Sequence, residues 1–91
     1  MQLRIDPIGV VRGGFEVSDI LIYPEFEKYL KEFTPEETIL IFLLEKKGVH
    51  QVNILSATLL KINGNFLRLD TKLPDNSLVI DIFTEKELLK G

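Results

Sequence analysis

Apolar and polar residues alternate along this chain in short blocks, and Pro, Gly, Asn and Asp separate the blocks. Leu3, Ile5, Ile8 and Val10 predict a first strand, entered through Asp6-Pro7 because proline has no N–H to give a central ladder. Gly13-Gly14 marks a turn, and Asp19 to Tyr23 reads as a second short strand. Pro24 suits the first turn of a helix, where a missing N–H goes unused. Phe26, Tyr29, Leu30 and Phe33 follow at i, i+3, i+4 and i+7, with Glu25, Glu27, Lys28, Lys31 and Glu32 on the other face. The spacing predicts an amphipathic helix whose apolar stripe is core, supported by an i,i+4 pair between Glu27 and Lys31.

Thr34-Pro35-Glu36-Glu37 has a capping-box pattern, yet the run that follows, Ile39 to Leu44, is apolar throughout. One helical turn and then a strand buried on both faces is expected, ended by Lys46-Lys47-Gly48. A long strand from Val52 to Ile62 leads into Asn63-Gly64, the strongest short-range hairpin signal, which predicts a two-residue type I′ turn there. Phe66, Leu67 and Leu69 return antiparallel, Leu73 to Ser77 forms a turn, and Leu78 to Phe83 is a last strand. Thr84-Glu85-Lys86-Glu87 repeats the capping-box pattern and predicts a short C-terminal helix through Leu89. With no internal repeat and no linker, residues 1–91 read as one domain. The fold class is α+β and β-rich: a small, partly closed barrel of about six mostly antiparallel strands with one main helix.

Composition narrows the functional classes. Among 91 residues, 45% are hydrophobic and 27% charged, a globular balance with a thin core. The absence of cysteine excludes disulfides and thiolate metal sites. The net charge of −3 is spread along the chain and leaves no electrostatic footprint for nucleic acid in the sequence. The start has no cleavable apolar run, and Thr38 to Leu44 is too short to span a bilayer, so a soluble, cytoplasmic protein with no membrane partner is expected. Abundant Glu and Lys without Cys or Trp fits a thermophile, which is the expectation from composition. Ile39 to Leu44 and Leu55 to Ile62 are apolar on both alternating faces, more than a single helix covers, and a homodimer is therefore expected.

Three stretches together carry a family resemblance. Pro7-Ile8-Gly9-Val10-Val11-Arg12 is similar to an opening "P-I-G-V-I/V-R". Ile20 to Phe26, followed by a helix and an apolar strand, is similar to "I-x-L-x-P-E-F/Y". His50 to Ile62 runs ungapped beside "HRPNPIGLSVVRL", and Asp75 to Ile82 beside "DGTPVLDI". In order and spacing the chain resembles the TsaA-like tRNA methyltransferase family. That resemblance implies a β-rich barrel with a ligand site close to a subunit interface, and it places Arg12, His50, Asn53 and Asp81 at cofactor-binding positions. Where the family has a longer insert ending in "R-S-P-H-R-P-N-P-I-G", only Glu45 to Val49 precede His50, and Gln51, Val52, Ile54 and Ser56 replace the arginine, prolines and glycine. The reading that follows is a degenerate TsaA-like domain that binds a small ligand or a protein partner without methyl transfer and without a cofactor. Two alternatives stand beside it. One is an S-adenosylmethionine-dependent methyltransferase acting on threonylcarbamoyl-adenosine in tRNA, and the other is a dimeric structural or assembly module.

The residues themselves offer few chemical constellations. His50, the lone histidine, is either a remnant of a cofactor loop or an exposed turn residue. Arg12 beside Gly13-Gly14 is either an anion site built from backbone N–H groups and a guanidinium, or a surface turn. Asp75 reads as a turn-capping aspartate. Asp81 alternates with Val79 and Phe83, so on an inward face its carboxylate needs an ion-pair partner or a ligand amine. Asp70, Asp75 and Glu85 lack the alternating oxygen spacing of a calcium loop, and no metal is expected.

Overall fold

A computed structural model describes the backbone of residues 6–14, 16–47 and 49–85, and the side chains of these residues outside 45–51. Its strands are β1 (Gly9–Gly13), β2 (Ser18–Ile22), β3 (Thr38–Lys47), β4 (Val49–Asn63), β5 (Phe66–Leu69) and β6 (Leu78–Thr84). All pairings are antiparallel, and the order β1-β2-β5-β4-β3-β6 closes into a barrel through β1 and β6. The β-rich barrel expected from the sequence is the fold observed.

Period-two alternation fills the interior. Val11, Ile20, Ile22, Ile39, Ile41, Leu43, Leu59, Leu67, Leu69 and Val79 are all fully buried. The partners of Ile20 show how register fixes this: it faces Val11 on β1 and Leu67 on β5, so one interior layer crosses three strands. Buried Ser18 closes the end of that layer, its hydroxyl accepting the Leu73 N–H at 2.7 Å.

Several expectations are corrected. The helix at Pro24–Glu32 is a 3₁₀ helix, broken at Phe26, whose φ/ψ of −113°/19° is non-helical. Three residues per turn eclipse positions i and i+3, so Phe26 and Tyr29 stack at 6.0 Å between ring centroids. No ion pair joins Glu27 and Lys31. Tyr29, expected in the core, is 42% exposed, whereas Phe33 is buried and Phe26 and Leu30 pack against the core from its edge. At Thr34–Glu37 a turn with Glu36 at φ 76° replaces the expected helical turn. The β4–β5 hairpin turns at Gly64-Asn65, one residue later than expected, with Asn63 paired to Phe66. Only Gly64 of these two has positive φ, at 59°, a type II′ pattern in place of type I′.

β3 ends at Lys47, as the Lys46-Lys47-Gly48 signal predicts, whereas β4 begins at Val49, three residues earlier than the expected Val52. Their ladder runs through Lys46↔His50 to Lys47↔Val49. β1 begins at Gly9; Leu3 and Ile5 lie outside the described residues, as does the segment beyond Glu85 where a C-terminal helix is expected. No helix among the described residues is long and apolar enough to cross a membrane.

Candidate functional site

Of the four positions the resemblance singles out, Arg12, Asn53 and Asp81 are not brought together. Arg12 is exposed on the outer face near the end of β1, opposite Asp19. Asn53 is half-buried on β4 opposite Leu43, whose side chain is fully buried, so Asn53 sits on the interior side of its strand. Asp81 lies opposite Phe42 on the outer side of the same sheet. His50 takes part in the β3–β4 ladder, and its side chain is outside the described set.

A bulge explains Asp81. The β3–β6 register shifts between Phe42 and Leu43, which pair with Asp81 and Val79 and leave Ile80 as the extra residue. Val79 therefore points inward while Asp81 and Phe83 point outward, correcting the single face that plain alternation gives. The Asp81 carboxylate is served by its own neighbour: Oδ1 accepts the Ile82 N–H at 2.8 Å.

The anion site considered at Arg12-Gly13-Gly14 already holds an internal anion. Gly13 N–H donates to Asp75 Oδ1 at 2.7 Å, and Gly14 N–H donates to the Val17 carbonyl at 3.0 Å. Asp75 thus ties the β5–β6 turn to β1 across the barrel end, and the backbone groups that would cradle a ligand are satisfied. Asp70, far from Asp75 in role, accepts the Thr58 N–H and the Thr71 hydroxyl, each at 3.0 Å. The Thr58 N–H, then the hydroxyl, hold its carboxyl below the ordinary value. Among the described residues, no group of three or more His, Cys, Asp or Glu side chains is arranged to hold a metal ion.

Two surfaces remain. The first is the protruding β3–β4 hairpin. β4 pairs with β5 only from Leu59 to Asn63, and Thr58 is engaged by Asp70, so the segment Val52–Ala57 is paired on its β3 side alone among the described residues. On the outer face beside this edge, Val52 is 45% and Ile54 56% exposed. Phe42 and Phe83 continue the apolar surface, in edge-to-face contact at 5.3 Å. The second surface lies across β2, β5 and the far half of β4. There Arg68 holds Asp19 side-on, Nε to Oδ1 at 3.0 Å and Nη2 to Oδ2 at 3.3 Å. That hydrogen bond, then the carboxylate charge, raise the arginine's already high pKa. Asp19, Lys61, Asn63, Phe66 and Arg68 line a shallow depression there. Sequence reading missed Lys61, Phe66 and Arg68. The one local signal was the break in alternation at Leu59-Leu60-Lys61-Ile62, the mark of a bulge.

No protein-family model matches the chain, and no curated protein matches it.

Proposed function

We propose that this chain is a protein-binding module that works as a homodimer, two copies joining through the β4 edge, and that it is not a methyltransferase. The observation that carries this reading is the one-sided segment Val52–Ala57. Unpaired strand edges invite another strand, and proteins that avoid pairing place charges or proline there. Val-Asn-Ile-Leu-Ser-Ala has neither. Antiparallel pairing of this segment with its own copy about a two-fold axis is self-complementary. It sets Val52 and Ile54 of both copies on one continuous outer surface beside Phe42, and it joins two chains of net charge −3 through an uncharged seam. The non-catalytic half of the reading is supported by the separation of Arg12, Asn53 and Asp81 onto different faces and ends of the barrel. Methyl transfer depends on holding cofactor and acceptor in one pre-arranged place. In this reading the TsaA-like resemblance belongs to the scaffold.

Analytical ultracentrifugation at micromolar concentration tests it. The expected result is a dimer for the parent chain and a monomer for Ile54→Lys, whose side chain is exposed and whose fold should survive. A species of monomer mass at every concentration overturns the proposal.

A further inference from the structure

Lys61 stands directly opposite Arg68 across β4 and β5. Like charges directly opposed on paired strands are destabilising. Asp19 relieves only one side of the arrangement: it holds Arg68 from β2 and engages Nε and Nη2. The Arg68 Nη1 and the Lys61 ammonium have no partner among the described residues. Plain alternation would not produce this pair. Leu55, Ala57 and Leu59 face the interior, and the same period would carry Lys61 inward as well. The register shift between Leu59 and Lys61 inserts Leu60 as a bulge; Lys61 then emerges beside Arg68, while Ile62 pairs inward with Leu67. Bulges re-aim side chains and recur next to functional sites.

The surroundings have one chemistry. Arg12, Asp19, Arg68 and Lys61 form a cross-strand row over β1, β2, β5 and β4, net positive in a chain of net charge −3. One step toward the hairpin turn, Asn63 faces Phe66, which is 40% exposed. The depression lined by Asp19, Lys61, Asn63, Phe66 and Arg68 has a volume of about 180 Å³. This is enough for an anionic group and one flat ring but small for a drug-sized molecule.

We propose that the depression binds a phosphate monoester whose carbon frame is an aromatic ring. The phosphate lies between the Lys61 ammonium and the Arg68 Nη1, with Asp19 fixing the guanidinium in place, and the ring rests against Phe66. A dianion removes the repulsion between the opposed cations, and an arginine held in place by a carboxylate loses little freedom on binding. Phe66 offers the ring an apolar stacking partner. This site lies at the Asn63 end of β4, beyond the Val52–Ala57 segment and on the β5 side, and stands or falls separately from the dimer.

The test is an amide chemical-shift titration of the full chain with phenyl phosphate up to about 10 mM, the range of weak single-site affinities. Saturable shifts are expected at Lys61, Asn63, Phe66 and Arg68, with affinity falling about tenfold in Lys61→Thr, as loss of one charge-assisted contact implies. Without ligand, Lys61→Thr should melt higher than the parent, because the opposed charges are gone. Inorganic phosphate should bind more weakly than phenyl phosphate, and Phe66→Ala should erase that difference. No saturable shift around the depression, equal affinity in Lys61→Thr, or phenol binding as well as phenyl phosphate would each overturn the proposal.

Discussion

Gly13 and Asp75 meet at 2.7 Å, backbone N–H to carboxylate oxygen, across 62 positions of sequence. The bond joins the end of β1 to the turn before β6. Asn76 N–H reinforces it by donating to the Val11 carbonyl at 3.0 Å. Asp75→Ala removes the acceptor and leaves the Gly13 N–H to water, and it should lower stability by about 1 kcal/mol. Asp75→Asn keeps an acceptor oxygen in the same place and should cost less. Urea unfolding of the two variants separates a hydrogen-bonding role from a requirement for charge.

Asp70 makes stability depend on pH at the acid end. Its folded-state pKa is lowered from 3.8, so its contribution is complete above that value and is lost as pH falls through the lower folded value. Thermal melts of the parent and Asp70→Asn between neutral and strongly acidic pH should show a gap that closes on acidification. A gap constant with pH would assign the difference to hydrogen-bond geometry alone.

Two glycines should respond to substitution for different reasons. A Cβ on Gly9 would collide with the Leu21 backbone carbonyl on the neighbouring strand. Gly9→Ala should therefore destabilise by about 1–3 kcal/mol through overpacking. A Cβ on Gly64 meets nothing within 4 Å, and the only cost there is the backbone, at φ 59°. Gly64→Val should lose about 1–2 kcal/mol, while Gly64→Asn, which tolerates positive φ, should lose less. Equal losses for Val and Asn would show that the turn does not demand this conformation in solution.

S-Adenosylmethionine at millimolar concentration should leave the melting temperature unchanged, because Arg12, Asn53 and Asp81 do not converge. A rise of several degrees, abolished by Asn53→Ala or Arg12→Ala, would restore the enzyme reading.

The strands were legible because burial follows a period of two. Ser18–Ile22 alternates without interruption and Phe66–Leu69 does the same, so both could be read from residue type alone. The helix between them was legible as an element but not in its winding: i+3 and i+4 spacings fit an α-helix, and nothing local announces the 3₁₀ geometry that leaves Tyr29 outside. The bulges were the main blind spot. One extra residue at Ile80 turns Asp81 outward, and one at Leu60 turns Lys61 outward, each reversing a facing that strict alternation predicts. The cation row was invisible for a second reason. Arg12, Lys61 and Arg68 are scattered through an acidic chain and become neighbours only by strand order β1-β2-β5-β4.

The seam between β1 and β6 is the shortest ladder of the ring, Gly9↔Val79 and Val10↔Leu78, flanked by Ile8 N–H to the Val79 carbonyl and Val11 N–H to the Ser77 carbonyl. It also closes the longest loop of chain, so its entropy must be lost before its few bonds can form. The barrel therefore behaves as a hoop with a clasp. The β3–β4 hairpin, local in sequence, can assemble early, and the clasp fastens last. Under hydrogen exchange the amides of Ile8 and Val11 should be released ahead of those in the β3–β4 ladder, marking where the hoop opens.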